Sequence, residues 1–417
     1  MTSLVLRADW VVPMAGPPIH GGEVAVGDDG RIVSVRPSDH ATVRPADGLV
    51  LLPGLVNAHT HLELTGFDGL VGDAAFADWI PHIIRLKAAR STEEFLAAAK
   101  QGIRDGWAMG VTTVADCGDS GAVIEALAEL GASGIAYHEV FGPHPDDADN
   151  QLAAWVARMG ELRRFAIGRV RLGASPHAPY TVSGTLYRKA AAWARKEGLP
   201  LAVHVAEAAD ECALLRDGTG GFAEAWRRRK VPLPDAGCSP VAWLDRHEVF
   251  GPDTIAIHTI HVDDADIATL ARRGCGVAHC PRSNRRHGHG DAPLARLLAA
   301  IPRLGVGTDS VASVAPLDLL AEARAARALA VISAERALEL VTIGAARAIG
   351  LDAEVGTLEL GKWGDAVAIR IPAGTGADRL HEAVLASTPA GVVSTWLAGR
   401  LVHQTSSSKL QALSSKL

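Results

Sequence analysis

No apolar run in this 417-residue chain is long enough to cross a bilayer as a helix, which takes about 20 mostly apolar residues. A membrane-spanning protein is therefore not expected. The opening stretch MTSLVLRADWVVPM carries Asp9 and breaks at Pro13, so neither a signal peptide nor a transit peptide is expected. Cysteine is scarce. The thiols of Cys117, Cys212, Cys238, Cys275 and Cys280 are odd in number and form no Cys-x-x-Cys pair. That pattern argues against a disulfide framework and for reduced thiols in a cytoplasm. An excess of positive charge is also missing. The formal charge of -6 speaks against nucleic acid or another polyanion as partner. What remains is an ordinary globular composition, 48% apolar and 21% charged. The length allows a large domain with a smaller one beside it.

Histidine is the outlying count, with 17 copies, several of them near carboxylates. The stretch Leu51 to Glu63, LLPGLVNAHTHLE, organises the rest. It reads as a buried strand that carries His-x-His to its C-terminal end. Residues two apart on a strand point to one side, so His59 and His61 can grip one ion together. A strand that merely happens to hold two histidines is the plain alternative.

Residues 1–50 alternate short Val/Ile/Leu runs with turns, Asp28-Asp29-Gly30 and the PADG cluster among them. The texture returns in GTLELGKWGDAVAIRI and VVSTWLAGRLVH. One small β-sandwich domain assembled from 1–50 plus 355–403 is expected. Between them, 51–354 repeats apolar strand, loop and helix. Strand candidates follow the opening one at 111–118, 134–142, 170–179, 200–207, 253–260, 275–281 and 303–310. Ser91 with Glu94 forms a capping box, and Gly198 suits a helix C-terminus. Strands alternating with helices predict a (β/α)8 barrel, whose chemistry gathers at the C-terminal ends of the strands. The connection 208–252 is long enough to be a lid or binding loop. Its basic run Arg227–Lys230 reads as a solvated helix face. The tail 404–417 is polar, low in complexity and expected to fray. It closes on Ser-Lys-Leu, a match to a peroxisomal address that three residues meet easily by accident.

The residues that carry chemistry fall at the strand ends. His204 and Glu207, in HVAE, are three apart, so they converge only if the strand stops near His204 and the chain turns. A metal ligand beside a general acid is one reading; a core histidine and a surface acid is the other. Of His258 and His261, His258 lies deeper in the apolar run and is the one expected to face inward. Asp309, in GVGTDS, is either a metal ligand that takes a proton from water or a helix N-cap. The helix expected over 316–329 starts at Pro316 and Asp318 without it. His177 ends the fourth strand and can contact substrate or simply line a pocket. No lysine lies at that strand end, so a carbamylated lysine bridging two ions has no candidate, which favours a single ion. His287 and His289 form a second His-x-His in a glycine-flanked loop, where the two-residue period does not apply; a metal pair is rejected there, and contact with substrate stays open. His82, His138, His144 and His279 are not singled out by spacing.

In order, NAHTH, HVAE, IHTIH, HCPRSN and GTDS resemble the amidohydrolase superfamily, in its branch of nucleobase deaminases and chlorohydrolases. The resemblance spans nearly the whole chain. It implies that His59, His61, His204 and Asp309 bind one divalent ion. Zinc suits those ligands; iron and manganese also accept histidine with carboxylate. It implies that Glu207 and His258 handle protons and that Ser283 and Asn284 touch substrate. NAHTHLEL followed by FADWIPHIIRLK is most similar to aminodeoxyfutalosine deaminases of menaquinone biosynthesis, which remove the 6-amino group of an adenine-bearing nucleoside. On that likeness Glu63 would bond a ribose hydroxyl, directly or through water, and Phe76 and Trp79 would cover the base. The partner implied is a purine nucleoside-like small molecule; a homodimer is compatible with it. The rivals are another hydrolase of the branch (a guanine, cytosine or triazine deaminase, an adenosine or S-adenosylhomocysteine-type deaminase, or a chlorohydrolase) and a non-catalytic barrel scaffold.

Overall fold

The computed structural model describes residues 2–38, 48–72, 75–234 and 236–405. Much of the PADG turn and the tail from 406 onward lie outside them.

Eight parallel strands form the central sheet: β1 (Leu55–Thr60), β2 (Val111–Gly118), β3 (Ser133–Val140), β4 (Val170–Pro176), β5 (Leu201–Val205), β6 (Thr254–His258), β7 (Gly276–His279) and β8 (Leu304–Val306). Each pairs with the next in sequence order. The ring closes after β8, where Thr308 and Asp309 donate their N–H groups to the His59 carbonyl at 2.9 and 3.1 Å. Nearly every residue of these strands is buried, because helices cover the outside and side chains fill the inside. This is the expected barrel.

Both ends of the chain build the second unit. Strands Thr2–Arg7, Gly22–Gly27 and Ile32–Pro37 form one sheet. The other runs Arg400–Gln404, Val392–Leu397, Ala366–Arg370, Leu49–Pro53, Trp10–Val11 and Ile19–His20. Leu6, Val24 and Ile32 of the first share an apolar core with Leu49, Leu51, Ala368 and Trp396 of the second, which is the expected sandwich. The hairpin at Asp28-Asp29-Gly30 holds, with Gly30 at φ 79°.

The single strand expected over Leu51 to Glu63 is two strands. Leu49–Pro53 pairs with Ala366–Arg370 in the outer sheet, and β1 starts the barrel at Leu55. Gly54 joins them at a point where a Cβ would lie 2.2 Å from the Thr112 hydroxyl oxygen, so only glycine passes. His61 therefore lies just beyond β1, as the cap of the short 3-10 turn Leu62–Leu64.

The expected caps are present. Ser91 and Glu94 bond reciprocally at the start of the helix Thr92–Ala108. Gly198, at φ 67°, follows the helix Gly184–Lys196. The helix expected from 316 begins at Leu319 and is capped by the Asp318 carboxylate. The connection 208–252 holds three short helices, Ala209–Asp217, Gly220–Arg228 and Pro240–Arg246. Phe222 and Trp226 of the second pack with Tyr180 and Phe76, whereas Val241 and Leu244 of the third join the main core. No helix among the described residues is long and apolar enough to cross a membrane.

Candidate active site

Three strands end in backbone conformations that ordinary side chains rarely adopt. Ala206 after β5, His258 at the end of β6 and Asp309 after β8 have φ of 53°, 72° and 58°. Such strain persists where surrounding contacts over-determine it, typically at functional sites. At β5 the turn is the one that the spacing of His204 and Glu207 requires. The Glu211 carboxylate holds it, accepting the N–H groups of Ala206 and Glu207 at 2.8 Å each.

The turns bring the predicted residues together. The ring centroids of His59 lie 4.7 Å from those of His61 and 4.9 Å from those of His204. Asp309 Oδ1 is 3.6 Å from His59 Nε2 and 3.4 Å from His61 Nε2. The donor atoms of His59, His61 and Asp309 all lie within 4.8 Å of one another, and so do those of His59, His204 and His258. His61 Nδ1 bonds the Cys117 carbonyl at 2.7 Å and His204 Nδ1 the His177 carbonyl at 3.2 Å. Those bonds leave each Nε2 lone pair facing the cluster, as in a metal-binding histidine. His59 is fully buried, and neither of its ring nitrogens has a hydrogen-bond partner. A buried polar group without a partner is costly, and a cation at this spot would satisfy it. The donor set thus fits one divalent ion.

Electrostatics agree. Burial pushes the His59 imidazole down to about 3 and lowers those of His61, His204 and His258, so all four offer lone pairs at neutral pH. Burial works the other way on Asp309, but the close imidazoles of His59, His61 and His258 outweigh that and keep it ionised. Burial and then the charge of Asp309 push the Glu207 carboxyl up to about 8. Tyr180 donates its hydroxyl to Glu207 Oε2 at 3.0 Å, while Oε1 faces His258 Nε2 at 3.4 Å.

A cavity of about 610 Å³ opens above the cluster, with His61, His204, Glu207, His258 and Asp309 on its floor. The helix α1 (Phe76–Ala88) supplies an apolar wall from Phe76, Trp79, Ile80 and Ile83. His177 also lines it. His261 does not belong to this cavity and lines a separate groove.

Three residues expected to touch substrate sit behind that surface. Ser283 donates its hydroxyl to Asp309 Oδ2, and Asn284 Oδ1 pairs with His258 Nδ1 at 3.0 Å. Both are buried and do not line the cavity. Glu63 is occupied by Lys87 at 2.5 Å and by the N–H of Ser120 at 3.1 Å, and it too lies off the lining. The basic run is the expected solvated face, exposed from Arg227 to Lys230, and Arg229 also reaches the cavity rim. Tyr180 and Glu211 went unread in the sequence, although Tyr180 stands within SPHAPY. Neither had a spacing that tied it to Glu207.

Residues 50–402 match the amidohydrolase family. The chain belongs to that family. This amidohydrolase is 32% identical over 385 residues to a 5-methylthioadenosine/S-adenosylhomocysteine deaminase of Desulforudis audaxviator, covering 88% of this chain and 85% of the relative. It is 34% identical over 334 residues to an aminodeoxyfutalosine deaminase of Deinococcus radiodurans, covering 76% and 78%. Among solved structures it resembles an adenosine deaminase from Xanthomonas campestris with bound zinc. That match has a TM-score of 0.82 and 27% identity, over 96% of this chain and 92% of the other. The amidohydrolase assignment makes the protein a hydrolytic enzyme of a metal-dependent family.

Proposed function

We propose that this enzyme hydrolyses the 6-amino group of an adenine nucleoside to 6-oxo with release of ammonia, and that its substrate is aminodeoxyfutalosine of menaquinone biosynthesis. The observation that carries the reading is Glu207, a carboxyl raised by burial to about 8, set beside a cluster of donors that could hold a metal ion on the floor of an aromatic-walled cavity. The relative from Deinococcus radiodurans supports the substrate.

In this reading His59, His61, His204 and Asp309 hold one divalent ion, with zinc favoured by the donor set and iron or manganese compatible with it. When bound, such an ion supplies the Lewis acidity that makes hydroxide available near pH 7. Asp309 and His258 orient the attacking water and accept its proton. The ring carbon becomes electrophilic once its neighbouring nitrogen is protonated, and Glu207 is the donor. Because Glu207 Oε2 accepts from Tyr180, the proton to be given sits on Oε1. Phe76 and Trp79 cover the base and exclude water, and His177 meets the sugar side.

The relative from Desulforudis audaxviator favours a second reading, in which the nucleoside carries a 5′-thioether. Ammonia release across aminodeoxyfutalosine, methylthioadenosine, S-adenosylhomocysteine, adenosine, free purine bases and triazines tests both. Turnover of free bases or triazines alone would overturn the nucleoside assignment. Protein free of metal and inert on the whole panel would favour the scaffold.

A further inference from the structure

The second His-x-His was set aside as a metal pair, yet its loop folds against the proton donor. Gly288 and Gly290 adopt φ of 68° and 88°, and the tight loop between them aims His289 inward. His289 is buried behind Phe76, edge-on to it with ring centroids 4.6 Å apart, and it does not line the cavity. Its Nε2 has no hydrogen-bond partner, and the nearest carboxylate oxygen is Glu207 Oε1 at 3.7 Å. A buried ring nitrogen left without a partner calls for one. Hydrogen bonds among catalytic groups are often slack before substrate binds and tighten in the reacting complex.

Resting on the deaminase reading, we propose that His289 is a positioning residue for Glu207: its Nε2–H closes on Oε1 as that oxygen gives its proton to the substrate ring nitrogen. The carboxylate left behind is then held by Tyr180 on Oε2 and His289 on Oε1. The proton moves from Glu207 to the ring nitrogen, and His289 keeps its own throughout. The bond to His289 is stronger once the acid is charged, so it favours the transition state over the bound substrate. The neighbour His287 plays another part. It lines the cavity, meets Trp79 edge-on with ring centroids 4.7 Å apart, and its Nε2 bonds the Ser313 hydroxyl at 2.9 Å.

The test is steady-state deamination by the metal-loaded enzyme carrying His289→Ala, His289→Leu or His289→Gln. His289→Ala and His289→Leu should lose about 10- to 100-fold in kcat with KM within about two-fold, the size of one charge-assisted hydrogen bond. His289→Gln keeps an N–H and should recover part of the loss. Added imidazole should restore His289→Ala while giving wild type no gain. A kcat for His289→Ala within two-fold of wild type overturns the proposal. So does an equal loss in all three variants without imidazole rescue, which marks a packing role. If His289→Ala does not fold, the comparison of His289→Gln with His289→Leu decides alone. Wild-type enzyme that releases no ammonia from any nucleoside overturns the deaminase reading itself, whereas active wild type with an indifferent His289 overturns only this inference.

Discussion

Asp309 donates its backbone N–H to the carbonyl of His59 at 3.1 Å, and its side chain reaches the imidazole of the same residue at 3.6 Å. One pair thus closes the barrel and joins two parts of the proposed metal site, so ion binding and fold stability should be coupled.

Chelation should lower the melting temperature of the wild-type protein. An ion held at 1,000 times its Kd stabilises by about 4 kcal/mol. Asp309→Asn should lose most of its metal by elemental analysis and become insensitive to chelator. A wild-type melting curve that ignores chelator would count against the site.

Glu207→Gln should reduce kcat by at least about 10²-fold, the lower range for general acid catalysis, with metal content unchanged. Near-normal turnover would remove Glu207 from the chemistry.

The alkaline side of the pH profile follows from the same carboxyl. Burial and Asp309 raise it to about 8, and its acid form is the one that reacts, so kcat should fall as pH rises through about 8. The Tyr180 hydrogen bond lowers that value, so Tyr180→Phe should move the fall to higher pH. A fall at the same pH in both proteins would separate Tyr180 from the acid.

Gly307→Ala should destabilise the barrel by roughly 1–3 kcal/mol or more in urea denaturation. A Cβ there would stand 2.5 Å from the His59 nitrogen and 2.6 Å from its oxygen, against backbone that cannot step aside. A neutral substitution would mean that β1 and β8 can part at the mouth.

Lys87→Met should cost roughly 3–5 kcal/mol, because it leaves the buried Glu63 carboxylate without its cation. Burial alone would raise Glu63, yet Lys87 and then Ser120 bring it down to about 2 from an ordinary 4.5. A depressed acid lends stability that is complete above about 4.5 and is lost as pH falls toward about 2. Lys87→Met should flatten the wild-type acid limb in this window, and an unchanged acid limb would contradict the pairing.

Local patterning was enough for much of this protein. Alternation of apolar strands and helices wrote the barrel, and His-x-His marked the end of β1 as the place where two imidazoles meet, although His61 lies just past the strand. The spacing of His204 and Glu207 set a condition, a turn between them if they were to share a face, and left open whether it was met; the structure meets it at Ala206. Only the tertiary structure placed Ser283 and Asn284 behind Asp309 and His258, tied Glu63 to Lys87, and set Tyr180 and His289 on either side of Glu207. Those contacts join residues far apart in the chain. They depend on how the loops beyond the strand ends pack together, and no local period encodes that packing.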